Sequence, residues 1–123
     1  MVSVPSFILR RLYVKGSLRG TSNGMEFHLL NKLGSGYARR ILPIIVDGKE
    51  IPLARCEFQV DELSVPFQEV SQDKPFTIAI NKTTKVVAEG IKLTSKPHKI
   101  SMGFEVAGLG VLKFDFTDTP SNG

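Results

Sequence analysis

The stretch Val46-Asp47-Gly48-Lys49-Glu50-Ile51 decides the fold class of this chain. An Asp-Gly pair between two apolar runs is the strongest short-range indication of a β-hairpin, because a type I′ turn needs positive φ and Gly48 adopts it without steric cost. Similar alternating runs fill most of the sequence, and no segment has the periodicity of a long amphipathic helix. We therefore expect this hairpin to belong to an all-β protein.

Short apolar runs separated by turn residues are typical of a sandwich or a barrel. A chain of 123 residues fits one domain, which we place at residues 1–123. We predict an antiparallel β-sandwich of seven or eight strands, immunoglobulin-like in general shape, with a small β-barrel as the alternative. Residues 61–74 lack periodicity and are expected to form an irregular loop, and residues 117–123 a frayed tail. The predicted strands are residues 7–15, 24–32, 38–47, 50–60, 75–80, 84–93, 97–106 and 109–116.

The alternation within four of these strands predicts which side chains form the core, because successive residues of a strand point to opposite faces. Cys56 falls in one of the inward rows, so we expect it to be a small buried hydrophobe. The four inward rows are Ile100, Met102, Phe104 and Val106; Leu112, Phe114 and Phe116; Phe76, Ile78 and Ile80; and Cys56, Phe58 and Val60.

Residues 41–46 differ from the other strands because they are apolar on both faces. Pro43 interrupts this run and is expected at a sheet edge or a β-bulge, since proline cannot donate to a strand ladder. The second apolar face has two explanations that the sequence leaves open. It is either a surface for a partner or a strand end capped by the long loop at residues 61–74.

The net charge of +4 is distributed unevenly along the chain. Residues 1–60 carry nine Lys and Arg against four Asp and Glu, a balance of +5, whereas residues 61–123 carry seven against eight, a balance of −1. A polyanion such as nucleic acid is therefore not excluded as a partner, but it is the less favoured explanation, because a mildly basic surface accounts for the value more simply. Guanidinium groups bind carboxylates and phosphates in a bidentate manner. The candidates for an anion- or partner-binding face are Arg10, Arg11, Arg19, Arg39 and Arg40.

No arrangement of residues predicts a catalytic centre, a metal site or a cofactor. The two histidines, His28 and His98, lack the spacing of a metal cluster, and the single cysteine cannot complete one. Glu26, His28 and His98 are retained as candidates for a polar site. A carbohydrate platform would depend on Tyr13 and Tyr37, because the chain has no tryptophan.

Two features bear on the cellular compartment. The chain has one cysteine and so cannot form an internal disulfide, which favours a reducing environment. No apolar stretch approaches the roughly 20 residues of a membrane span, and the run at residues 7–9 ends at two arginines, too short for a signal peptide. We expect a cytoplasmic protein with no membrane contact.

Four stretches resemble the small β-subunit-like proteins of the C-glycoside deglycosidase family: residues 17–20, 24–27, 46–52 and Phe58. The resemblance implies a compact β-sandwich that pairs with a larger (β/α)-barrel subunit, which carries the metal and the catalytic residues. It further implies that the loop at 61–74 reaches toward the partner's active site. It assigns no catalytic residue to this chain.

These observations lead to one functional expectation and one alternative. We expect a non-catalytic interaction module, an accessory subunit of a larger assembly for which a sugar-processing enzyme is one candidate, with a protein partner or a homo-oligomeric state. The alternative is a β-sandwich module that binds a carbohydrate or another small molecule.

Overall fold

A computed structural model describes residues 4–121, which form two antiparallel sheets with little helix. The predicted all-β sandwich class is confirmed. The strands are β1 (Arg19–Gly20), β2 (Gly24–Leu30), β3 (Gly36–Ile41), β4 (Ile44–Val46), β5 (Lys49–Ile51), β6 (Cys56–Val60), β7 (Leu63–Pro66), β8 (Phe76–Ile78), β9 (Thr83–Glu89), β10 (His98–Val106) and β11 (Gly110–Asp118).

The predicted hairpin turn is confirmed at Asp47 and Gly48, which have φ values of 51° and 86°. Positive φ at both central residues matches a type I′ turn, whose twist suits the flanking strands. The turn pairs β4 with β5, and Ile44 lies opposite Ile51.

The first sheet has the strand order β1-β2-β9-β6-β7, and the second has the order β5-β4-β10-β3-β8. In the second sheet β11 pairs with β10 along its whole length. The other edge of β10 is shared by β3 and β4, which lie end to end along it. Strand β10 is therefore the centre of the second sheet.

The two sheets also meet at one side through the ends of the described chain. Ser121 forms a parallel bridge with Arg19, the first residue of β1, and its amide donates to the Leu18 carbonyl at 2.8 Å. Tyr13 forms a bridge with Leu29 of β2, while its hydroxyl donates to Asp118 of β11 at 2.7 Å. This closure gives the sandwich a partly barrel-like form.

The core between the sheets agrees with the predicted alternation of β10, β11 and β6. The inward residues of β10 and β11 are buried, as are Cys56 and Phe58. One member of the predicted rows is wrong: Ile80 is 48% exposed, because β8 ends at Ile78 and the alternation does not continue beyond it.

The predicted strand at 7–15 is wrong. Residues Ser6–Leu9 form a short α-helix, α1, and Arg10–Leu12 form a 3₁₀ turn. The helix begins after Pro5, whose carbonyl accepts hydrogen bonds from the amides of Ile8 and Leu9. The buried residues here are Leu9 and Leu12, whose spacing of three matches one face of a helix rather than a strand.

Several other boundaries also need correction. The predicted strand at 84–93 ends at Glu89, and that at 38–47 is interrupted at residues 42–43. The predicted strand at 50–60 is broken after Pro52 by a 3₁₀ turn at Leu53–Arg55. The expected loop at 61–74 contains β7, which pairs with β6 across a tight turn where Asp61 has a φ of 55°. The expected frayed tail at 117–123 is wrong for residues 117–121, because β11 continues to Asp118 and Ser121 pairs with Arg19. Residues 122–123 lie outside the described part of the chain.

Within residues 4–121, no helix reaches the length and apolar character that crossing a lipid bilayer would need.

Candidate functional site

The outward face of the second sheet contains an open groove of about 500 Å³, called here the outer groove. Leu42, Pro43 and Ile45 line one side of it, and Lys113 and Asp115 of β11 line the other. Ser101 of β10 lies between the two sides, because it is paired with Ile45 on one side and with Asp115 on the other. The small Ser101 side chain forms the floor of the groove.

The apolar side of the groove results from a β-bulge. Ile41 lies opposite Phe104, and Ile45 lies opposite Ser101. The segment from Ile41 to Ile45 therefore advances four residues while β10 advances three. The extra residue falls at Leu42-Pro43, between β3 and β4, where Pro43 was expected. Because Ile44 is buried, Leu42, Pro43 and Ile45 remain half-buried on the outward face.

Gly103 allows the two sides of the groove to approach each other. A Cβ atom at this position would lie 2.8 Å from the Leu112 carbonyl oxygen and 2.9 Å from Leu42 Cδ1. It would also lie 3.0 Å from Lys113 Cγ. Glycine therefore lets the Leu42 side chain lie flat on the sheet.

The rim of the outer groove is polar and carries charges of both signs. Arg10 donates from Nε to the Asp115 carbonyl at 2.7 Å, and its Nη2 lies 3.4 Å from Asp115 Oδ1. Lys113 adds a positive charge on the same strand, and Glu50, opposite Ile45 on β5, adds a negative one. An apolar centre inside a polar rim is the usual composition of a protein interface.

The structure separates the two explanations for the apolar residues 41–46. Their inward side chains Ile41, Ile44 and Val46 are at most 3% exposed and belong to the core. Their outward side chains border the outer groove, whose lining includes no residue of the 61–74 segment. The long loop therefore does not cap this face.

Arg39 and Arg40 lie together at a second β-bulge, and we call them the arginine pair. The register between β3 and β10 shifts here, so both arginines lie opposite Glu105. Arg39 Nε donates to Glu105 Oε2 at 2.6 Å and Arg40 Nη2 donates to Oε1 at 3.2 Å. The hydrogen bond from Arg39 lowers the pKa of Glu105, with a smaller contribution from Arg40. The site that would hold an external anion is thus occupied by a carboxylate of the chain itself.

The other three candidate arginines do not join the arginine pair. Arg10 contacts Asp115 on β11. The residue of β11 that lies opposite Glu105 is Val111, four positions from Asp115, so the two contacts are about 13 Å apart at the usual rise of a strand. Arg19 lies in the first sheet, 3.5 Å from a carboxylate oxygen of Glu26. Arg11 is exposed in the 3₁₀ turn. The structure brings together only two of the five predicted arginines.

The three polar-site candidates are also divided between the sheets. Glu26 and His28 lie on β2 of the first sheet, whereas His98 begins β10 of the second. The Glu26 carboxylate is nearly buried and lies between Arg19 and Lys85, 3.6 Å from the latter. No group of three or more His, Cys, Asp or Glu side chains suited to a metal ion occurs among residues 4–121.

His98 has a structural partner that the sequence does not indicate. Its Nδ1 atom lies 2.6 Å from Asp47 Oδ2, and Asp47 Oδ1 accepts the Lys99 amide at 2.9 Å. Asp47 thus anchors the hairpin turn to the first residues of β10. The hydrogen bond with His98, followed by that from Lys99, lowers the pKa of Asp47.

The two tyrosines have different environments. The Tyr13 ring stacks on Phe116 with centroids 3.6 Å apart, and its hydroxyl accepts the Leu18 amide at 3.1 Å. Burial and the hydrogen bond to Asp118 raise the pKa of Tyr13 to about 12. Tyr37 is 61% exposed on β3. Only Tyr37 therefore offers a free ring to a ligand.

Comparison with known proteins gives one family. No curated protein matches this chain. A family model described as "Hydroxymethylglutaryl-CoA reductase, N-terminal domain" matches residues 8–121, nearly the whole chain. This match overturns the resemblance to the C-glycoside deglycosidase family, which rested on short turn and strand sequences that many sandwiches share. The chain belongs to the family of the hydroxymethylglutaryl-CoA reductase N-terminal domain.

Proposed function

We propose that this protein is a non-catalytic interaction module that binds a larger protein through the outer groove. The observation that carries the proposal is the apolar side of that groove, formed by Leu42, Pro43 and Ile45 on a sheet face open to solvent. Apolar side chains inside a polar rim are suited to a protein surface rather than to a polar metabolite.

The size of the face is compatible with this role. Strands β5, β4, β10 and β11 lie side by side; β10 and β11 have nine residues each, and β4 and β5 have three each. At roughly 4.8 Å between strands and 3.3 Å per residue, the face covers about 380 Å². A standard interface buries about 800 Å² per partner, so this face supplies about half of that area.

The family supports the kind of partner. Its description names a domain of an enzyme, so we propose that the partner is a catalytic protein and that this chain is its accessory subunit. The positive charges of Lys113 and Arg10 are balanced by the negative charges of Asp115 and Glu50. We therefore expect the partner to be held by apolar contacts in the groove rather than attracted by long-range electrostatics.

We also propose a reducing, cytoplasmic compartment. Cys56 is the only cysteine and is buried, and burial raises the pKa of its thiol to about 11. Such a thiol is a poor nucleophile, which agrees with a packing role.

The test is affinity purification at native expression with three chains: wild type, Ile45→Lys and Leu63→Lys. Ile45 lies in the groove, whereas Leu63 is 69% exposed on β7 of the other sheet and serves as the matched control. We expect a larger protein in stoichiometric amount with wild type and Leu63→Lys, and its loss with Ile45→Lys. Circular dichroism would establish that all three chains fold.

Two results would contradict the proposal. Equal recovery of the partner by both variants would remove the groove from the interface. A wild-type chain that is bound only to itself, shown by light scattering, would replace the accessory subunit with a homo-oligomer.

The alternative function, carbohydrate binding, has less support. Tyr13 is stacked on Phe116 and holds its hydrogen bonds inside the protein, which leaves Tyr37 as the one exposed tyrosine. Glycan binding that is lost in Tyr37→Ala would favour this alternative over protein docking.

A further inference from the structure

A second pocket, of about 340 Å³, lies at one end of the sandwich, and it is called here the end pocket. It shares no lining residue with the outer groove. Phe104, Val106 and Leu112 of the second sheet reach it from the core side, and Leu9 and Leu12 reach it from α1 and the turn that follows. All five side chains are at most 8% exposed, so the pocket extends into the core.

The core is filled directly beneath this pocket. The adjacent space, which shares the residues Leu12, Asn31, Ile78 and Phe104, measures only about 10 Å³, no more than one water-sized probe. Protein interiors normally fill their volume, because each unfilled space forfeits dispersion contacts. The open volume is therefore confined to the end pocket itself, a concave and mostly apolar space of the kind that holds small ligands.

The polar groups of the end pocket are already used within the protein. The Asn31 amide nitrogen donates to the carbonyls of Gly34 and Ile78 at 2.8 and 3.0 Å, and its oxygen accepts the amides of Leu33 and Gly34. Ser35 Oγ accepts the Ile80 amide at 2.9 Å. Among residues 4–121, no charged side chain lines the pocket. A charged or strongly polar ligand would therefore lose its hydration without gaining a partner.

We infer that the end pocket binds a small, uncharged and largely apolar molecule, such as an aromatic ring or a short alkyl chain. Its 340 Å³ lies at the lower end of the range for small-molecule sites, which suits a ligand no larger than a fused pair of rings. The entrance lies where Leu33, which is 43% exposed, and the half-buried Leu109 border the pocket. A single polar group of the ligand is expected to face water at this entrance, beside the Ser35 hydroxyl.

The experiment uses 1-aminonaphthalene, an uncharged fluorophore with about eleven non-hydrogen atoms whose emission shifts to shorter wavelength in apolar surroundings. Naphthalene-1-sulfonate, the charged analogue, is the control ligand. Leu109→Trp places a large ring in the pocket, and Val111→Trp, at a residue 48% exposed outside the pocket, is the matched control. Thermal unfolding of both variants establishes that each is folded.

We expect the uncharged probe to bind wild type saturably and to bind Leu109→Trp at least tenfold more weakly. Binding of this probe to Val111→Trp should equal that of wild type, and the sulfonate should not bind. Absence of saturable binding, or equal binding by the two variants, overturns the inference. Because the two sites share no residue, failure here leaves the outer groove untouched.

Discussion

Replacing Tyr13 with phenylalanine tests the contact that closes the sandwich at one side. The Tyr13 hydroxyl donates to Asp118 Oδ2 at 2.7 Å and accepts the Leu18 amide at 3.1 Å. Leu18 is fully buried, so its amide would lose its partner without gaining water. The ring stacking on Phe116 would remain, which confines the change to the hydroxyl.

The expected loss of stability follows from these two hydrogen bonds. A bond to a charged group and a buried amide left without a partner together cost about 3 kcal/mol. The entropy of unfolding is roughly 2.1 cal/mol/K per residue, or about 260 cal/mol/K for 123 residues, so Tyr13→Phe should lower the Tm by about 12 °C. The free energy of unfolding would be measured by urea denaturation and the Tm by circular dichroism.

Tyr37→Phe is the matched control, because Tyr37 is 61% exposed. We expect a change below about 0.5 kcal/mol for this variant. Equal stabilities of the two variants would refute the assignment of the closing role to the Tyr13 hydroxyl.

The same hydroxyl predicts an alkaline effect. The folded-state pKa is raised from 10.0 to about 12, so the stability from neutral Tyr13 is fully present below pH 10 and is lost as pH rises toward 12. The wild-type chain should therefore lose more stability than Tyr13→Phe over this interval. Parallel pH profiles of the two chains would contradict the raised pKa.

Three further predictions concern other contacts. The hydrogen bond with His98 lowers the folded-state pKa of Asp47. The stabilising contribution of Asp47 is therefore present above the ordinary pKa of 3.8 and is lost as pH falls through the lowered pKa. Asp47→Asn should weaken this acid dependence in urea titrations at pH 2 to 5. Glu105→Gln should free the arginine pair, so inorganic phosphate should shift the guanidinium NMR signals of this variant and not those of wild type. Gly24→Ala should destabilise the protein by about 2 kcal/mol or more, because a Cβ atom would clash with the Ala88 carbonyl oxygen and force β2 away from β9.

Each of these has a matched control on the same chain. Asp73→Asn changes an exposed carboxylate and should leave the acid profile unchanged. Glu89→Gln should leave the guanidinium signals of the arginine pair unmoved by phosphate. Gly20→Ala should cost little, since the nearest atom to its Cβ would be 4.0 Å away. Similar effects of control and test variants would contradict the corresponding contact.

The fold class could be predicted from the sequence because its strongest patterns are local. The Asp47-Gly48 turn and the alternation of residues 98–106 and 110–118 each depend on neighbours within a few positions. The segment at 7–15 was mispredicted because helix and strand both bury short apolar runs, and the decisive feature was the spacing of Leu9 and Leu12.

The candidate sites depend on pairings that local patterns do not contain. The outer groove needs β4 beside the β10–β11 hairpin, and β4 ends at Val46, far before β10 begins at His98. The partnership of Glu105 with the arginine pair depends on a bulge between strands 65 residues apart. One indication was present in the sequence: the two-sided apolar run at 41–46 around Pro43 identified the groove's apolar side.

The Tyr13–Asp118 contact has a consequence for the order of folding. The two residues are 105 positions apart, and the bridge between Arg19 and Ser121 spans a similar length. During synthesis on a ribosome, β2 can pair with β9 before β11 has left the exit tunnel, but the side between the sheets cannot close until β11 emerges. Contacts of such long sequence separation slow folding, because loop entropy is lost before they form. The newly made chain should therefore pass through an open-sided state in which the Phe27 and Phe116 rings have not yet met.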